Sequence, residues 1–217
     1  MDVSKTQRAL LVVSSLASQG RKNLSWLYHG LELGGIGLAD VILGPQYANR
    51  QSLVGADVSA DSIVGALADL HGMPSVTAVD LVLMVHGQPD DLVVDTGDPI
   101  PAVALASALT QRGVGQKLRA CYSTACFGNS HAPALRNAGF KVVCGAVGVN
   151  ANSATEYPQV LQHWASGDSF GDCISTGDNP ATRWFWDMQA KRMKFGSVNS
   201  RKIITGDGDV TIATMPN

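Results

Sequence analysis

The run Ala78 to Val85, AVDLVLMV, constrains the fold more than any other feature of the sequence. A short, nearly continuous apolar run bounded by turn formers reads as a strand buried on both faces, which is how strands of a parallel sheet read. Similar runs occur at Ala9 to Val13, Gln51 to Val54, Lys117 to Ser123 and Lys141 to Val149. Helical stretches alternate with them. Asp57 or Ser59 caps one that runs to Leu70, with Ile63, Val64, Leu67 and Leu70 on one face. Ile100 to Gln111, Ser130 or His131 to Asn137, and Glu156 to Ser166 are the others, the last with Val160, Leu161 and Trp164 facing inward. This alternation predicts an α/β fold of βαβ units around a mostly parallel sheet. The Gly-rich stretch Gly30 to Gly44 reads as a loop or short helix over the sheet. Arg201 to Thr205 and Val210 to Ala213 read as a closing hairpin through Asp207-Gly208. No repeat, low-complexity segment or linker interrupts residues 1–217, so one domain is expected.

Composition narrows the partners. A net charge of −2 over 217 residues argues against a nucleic-acid partner, which needs clustered Lys and Arg. The most basic stretch, Lys191 to Lys202, fits a solvated helix end. No apolar run reaches the roughly 18 to 20 residues of a membrane span. The run from Ala9 to Ala17, preceded by Lys5 and Arg8, fits a first buried strand or the core of a short signal peptide. Cys121, Cys126, Cys144 and Cys173 show no zinc spacing, and a chain this apolar needs no disulfide staples. Free thiols in a reducing cytoplasm are expected, with no metal and no cofactor.

Three histidines precede glycine, so the dipeptide alone says little. His71 fits a helix C-terminus, where its charge complements the dipole. His29 follows a segment without strand character. His86 alone stands at the carboxyl end of a long buried strand, where open α/β sheets place catalytic and ligand-binding groups. Cys126 follows the strand Lys117 to Ser123 on the same edge, flanked by the small residues Ser123-Thr124-Ala125 and Gly128. These would let a substrate backbone approach, and a helix beginning near Ser130 would favour the thiolate. Cys121 and Cys144 lie within strands and fit small buried hydrophobes.

A hydrophobic block ending in His-Gly, LVLMVHG (Leu81 to Gly87), precedes a second ending in Ala-Cys, LRACYSTACFG (Leu118 to Gly128). This arrangement resembles the caspase-like cysteine peptidases of clan CD. Small residues before Cys126, with Thr124 in place of Gln or Glu, resemble the gingipain- or CHAT-like bacterial branch. The resemblance implies a caspase-like three-layer sandwich with a mostly parallel central sheet. It also implies a cysteine endopeptidase acting on peptides or proteins. Cys126 would be the nucleophile and His86 the proton donor to the leaving amine. Backbone N–H groups of Gly87 and Cys126 would form the oxyanion hole, with no third catalytic member. Asp90, Asp91 and Glu156 are candidates for a substrate pocket that takes Lys or Arg. Asn150, Asn152 and Ser153 should border the same crevice. The rival reading is a catalytically silent binding or scaffold module on the same fold. A serine hydrolase lacks its G-x-S-x-G elbow, and Gly34-Gly35-Ile36-Gly37 follows no strand as a dinucleotide loop must.

Overall fold

A computed structural model describes residues 2–17, 25–95 and 98–216. Its centre is a sheet in the order β2-β1-β3-β6-β7-β8. The strands are β1 (Arg8–Ser15), β2 (Asn49–Val54), β3 (Ala78–Gln88), β6 (Leu118–Ser123), β7 (Val142–Ala146) and β8 (Lys202–Gly206). The first five run parallel, and β8 returns antiparallel along β7. Two short strands, β4 (Asp91–Val93) and β5 (Ile100–Pro101), form an antiparallel ladder on the end of β3.

The layers follow from the period-two alternation of a strand buried on both faces. In β3, Val79, Leu81, Leu83 and Val85 enter one core with Ile63, Leu67 and Leu70 of α2 (Ala60–Gly72). Leu105 and Leu109 of α3 (Ala102–Gln111) and Leu135 of α4 (Gly128–Asn137) complete that layer. Val82 and Met84 enter the opposite core, against Ala39 of α1 (Ser25–Ile42) and Tyr157, Val160, Leu161 and Trp164 of α5 (Ser153–Ser166). Phe170, Cys173 and Ile174 of α6 (Phe170–Gly177) close this second side. The expected inward faces of α2 and α5 are therefore the observed ones. Ser59 is the residue that caps α2, its Oγ accepting from the Ser62 N–H at 3.1 Å.

Three expectations are corrected. The Gly-rich segment lies in an 18-residue helix, α1, although glycine weakens helices. Close packing is the reason at Gly35, where a Cβ would stand 2.6 Å from the Met84 sulfur. The closing hairpin has only its first strand, β8, and Val210 and Ile212 are buried in a non-strand segment. The basic stretch is not wholly solvated, because Lys202 is buried. The run from Ala9 to Ala17 is largely β1, every residue of which is buried. Among the described residues no helix is long and apolar enough to cross a membrane.

Candidate active site

Strand register brings the two motif residues together. Leu81 pairs with Cys121, Val82 with Tyr122 and Leu83 with Ser123, each pair offset by 40 positions. The Thr124 N–H still donates to the Leu83 carbonyl at 2.9 Å where β6 ends. The same offset separates His86 from Cys126, so both leave the parallel sheet at its carboxyl edge. β3 runs on beyond the expected end through His86 and Gly87 to Gln88, where it pairs with β4. Gly87 makes the junction tight: a Cβ there would collide with the Cys126 carbonyl oxygen and stand 3.2 Å from the Ala125 Cβ. His86, Gly87 and Cys126 line one cavity of about 370 Å³, in the size range of small-molecule sites.

His86 is held by two groups. Its Nε2 lies 2.8 Å from the Leu16 carbonyl oxygen at the end of β1. A carbonyl only accepts, so the neutral ring carries its hydrogen on Nε2 and keeps the Nδ1 lone pair. Tyr28 of α1 meets the ring edge-on at 5.0 Å between centroids. Burial pushes the imidazole below its ordinary range, and it outweighs the Leu16 carbonyl, Asp95 and Glu32, which pull the other way. The resting ring is neutral.

Cys126 is half-buried, whereas Cys121, Cys144 and Cys173 are buried, and all four thiols are free. The Asn150 N–H donates to Cys126 Sγ at 3.4 Å, and the Asn150 side-chain amide donates to the Thr124 carbonyl at 3.0 Å. Burial raises this thiol, against opposing pulls from the Asn150 N–H and the Lys202 ammonium. Desolvation thus outweighs these opposing pulls on the thiol. Beyond the cysteine, Phe127 adopts φ 55°, ψ 18°, a left-handed conformation uncommon for a bulky residue. Its N–H donates to the Gly148 carbonyl at 2.9 Å, which anchors the turn. Gly128 does not open the way for a substrate. A Cβ there would lie 2.9 Å from the Gly145 Cα, so its smallness seats α4 against β7.

The remaining candidates divide. Asn150 and Ser153 border the cavity. Asn152 is fully buried at the start of α5, its Oδ1 accepting from the Thr155 hydroxyl at 2.8 Å. Asp90 sits in the β3–β4 turn and Asp91 opens β4, and neither lines the cavity. The Asp90 N–H donates to Ser130 Oγ at 2.7 Å, and the Asp91 carboxylate accepts from the Gln88 amide at 2.9 Å. Glu156 has no exposure, accepts from the Tyr122 hydroxyl at 2.7 Å and lies 3.3 Å from Lys202 Nζ. These partners hold it within the core, turned from the cavity. Sequence reasoning missed the Leu16 carbonyl, which has no residue-type signal, and the wall from Trp186, Met193 and Phe195. The aromatic run Trp184-Phe185-Trp186, in α7 (Pro180–Arg192), was its one available sign. Among the described residues no group of three or more His, Cys, Asp or Glu side chains could hold a metal ion.

The sheet order, the two helical layers and the site at the carboxyl edge define a caspase-like α/β fold. One solved structure similar to this chain is that of a secreted C11 cysteine protease from Bacteroides thetaiotaomicron, in complex with an irreversible peptide inhibitor. The two share a TM-score of 0.57 and 13% identity over 79% of this chain and 57% of that one. The chain therefore spans little more than half of that neighbour's length. Identity this low carries the fold alone, and it supports the caspase-like fold rather than a gingipain- or CHAT-like branch in particular. No protein-family model and no curated protein sequence matches the chain.

Proposed function

We propose that this protein is a cysteine endopeptidase in which Cys126 attacks a peptide carbonyl and His86 moves the proton. The observation that carries this reading is the shared cavity of His86, Gly87 and Cys126, with Gly87 packed onto the Cys126 backbone. Both groups are neutral at rest. In the attack the thiol proton passes to His86 Nδ1 as the Cys126 sulfur bonds the carbonyl carbon. The imidazolium then protonates the leaving amine as the C–N bond breaks. Water hydrolyses the acyl-enzyme, giving its proton to His86 and restoring the thiol. The N–H groups of Gly87 and Cys126 are the assigned oxyanion donors, each worth roughly 3 to 4 kcal/mol when well aimed. The Leu16 carbonyl acts as a positioning group, fixing the tautomer that leaves Nδ1 basic. Free, mostly buried thiols suit a reducing compartment, and we place the protein in the cytoplasm; recovery from the secreted fraction would contradict this.

A peptidyl acyloxymethyl ketone, followed by mass spectrometry of the labelled peptide, tests the assignment. Cys126 is expected to be labelled in the folded protein. Labelling should fall to background in Cys126→Ala and by more than about 100-fold in His86→Ala, the low end of general acid–base contributions. Labelling of Cys126 no faster than that of Cys121 would defeat the proposal and leave the silent binding module.

A further inference from the structure

The cavity beside Cys126 differs in chemistry from the acidic pocket that the sequence suggested. Its walls are Leu16, Tyr28 and Leu31 on one side and Trp186, Met193 and Phe195 on the other. None of its described lining residues is a carboxylate, a lysine or an arginine. Three nearby acids are committed elsewhere, and Asp95, whose charge acts on His86, is not among the lining residues. Glu156 is paired with Lys202, and Asp187 accepts from the Ser200 hydroxyl at 2.5 Å. Glu32 accepts the N–H groups of Leu16 and Ala17, at 2.7 and 3.3 Å. Asn150 spends its backbone N–H on Cys126 Sγ and its amide on the Thr124 carbonyl.

A second hollow of about 150 Å³ adjoins the first, and the two share Leu16, Leu31, Thr124, Ser153 and Ala154 as common walls. Met84 and Gly34 line the second hollow, where a Cβ added at Gly34 meets nothing within 4 Å. The missing side chain on α1 leaves the hollow open. The polar side chains in the lining of the larger hollow are those of Tyr28, His86, Thr124, Asn150, Ser153 and Gln189. A Lys, Arg, Asp or Glu side chain entering these hollows would therefore lose hydration without meeting a carboxylate, lysine or arginine among the described residues. A large apolar one would exchange water for contact with Leu16, Leu31, Met84, Trp186, Met193 and Phe195.

We propose that the paired hollows form the specificity site, taking a large aliphatic or aromatic side chain of the substrate beside the scissile bond. The assignment rests on Cys126 being the nucleophile and names the substrate class of that same site. Gly34 and Ala154 are its specificity-determining positions. Both are exposed on helices, so longer side chains there are compatible with folding.

The test is a series of peptidyl acyloxymethyl ketones that differ only in the residue next to the warhead. Leu, Met and Phe probes are expected to label Cys126 at least about 10-fold faster than Arg, Lys, Asp or Asn probes, in keeping with the selectivity of an apolar pocket. Gly34→Leu and Ala154→Leu should slow Phe and Met probes several-fold and spare the Ala probe. Preference for a charged or amide residue, or unchanged Phe labelling in both variants, would overturn the assignment. A parallel measurement separates this inference from the nucleophile assignment: binding of N-acetylated peptide amides to Cys126→Ala, read by tryptophan fluorescence with Trp186 in the wall. Saturable binding of Leu and Phe peptides without labelling of the wild type would sink the peptidase and keep the apolar site. Absence of both would overturn the site as well.

Discussion

Two buried charge clusters lie on the same face of the sheet, and they are finished to different degrees. Toward the middle of the sheet, the Asp80 carboxylate accepts from Arg119 Nε and Nη2, the Ala120 N–H and the Tyr47 hydroxyl. Arg119 also donates to the carbonyls of Ile212 and Thr214, and the Trp164 indole N–H donates to Tyr47 Oη. Nearer Cys126, Lys202 donates to the Ser123 carbonyl at 2.6 Å and faces Glu156 at 3.3 Å, with its ammonium 5.4 Å from the Tyr122 ring centroid. Here Glu156 Oε2 and Asp178 Oδ1 are buried without a hydrogen-bond partner among the described residues. A satisfied network rigidifies a core, whereas an incomplete one leaves desolvation uncompensated. The first cluster holds the fold; the second tolerates a cost next to the proposed nucleophile.

The largest expected effect breaks the complete cluster. Asp80→Ala leaves the Arg119 guanidinium buried and unpaired, and a loss of about 3–5 kcal/mol in urea unfolding is expected. Glu156→Gln should cost less, about 1–3 kcal/mol, because the amide oxygen can still accept from Tyr122 and from Lys202, while the amide NH2 takes the place of an oxygen that already lacks a partner. Equal losses for the two variants would erase the distinction between the clusters. The double variant Glu156→Gln with Lys202→Met sharpens it further. Removing both charges should recover stability from that of Glu156→Gln toward the wild type. It should also move the alkylation midpoint of Cys126 to higher pH, since the Lys202 ammonium pulls that thiol down. An unmoved midpoint would show that the second cluster does not reach the thiol.

The legibility of the two regions from sequence differs for the same physical reason. Strand and helix faces were readable because burial imposes a period: Ile63, Leu67 and Leu70 fix α2, and Val160, Leu161 and Trp164 fix α5. The positions of His86 and Cys126 followed from strand ends, since parallel register carries a sequence offset directly into space. What failed depended on contacts between distant segments. Nothing local marks α1 as a helix: among its glycines Gly35 alone is explained by packing, against the Met84 side chain of β3, which the local sequence does not reveal. Glu156 has the residue type of a specificity acid, and its inward partners Tyr122 and Lys202 lie 34 and 46 positions away in sequence. The Leu16 carbonyl that orients His86 is backbone and carries no side-chain signature.

The smallest expected effect concerns histidine protonation. Burial lowers the pKa of His86, His131 and, to a smaller degree of enclosure, His71. The folded state then binds fewer protons than the unfolded chain below the ordinary histidine value of about 6.5. Their contribution to stability is complete above that pH and is lost as pH falls toward the folded-state values, with a slope of at most about 1.4 kcal/mol per pH unit for each histidine. His131 is neither the proposed base nor part of the cavity lining; it is buried beneath the β3–β4 turn with Nε2 at 2.9 Å from the Gln88 carbonyl oxygen, and a Cβ on Gly87 would stand 3.1 Å from its Cε1. Asp90 and Asp91 face it and offset part of the burial. Its substitution by Asn should lower stability at pH 7.5 and flatten the decline between pH 6.5 and 5.5. Glu156, whose carboxyl is raised by burial, changes stability in the opposite direction, so the wild-type-minus-variant difference is the quantity to measure. A His131→Asn variant with the same slope as wild type in that window would place the acid sensitivity elsewhere. The labelling rate of Cys126 should meanwhile keep its acid limb below pH 6.5, set by His86 in both proteins.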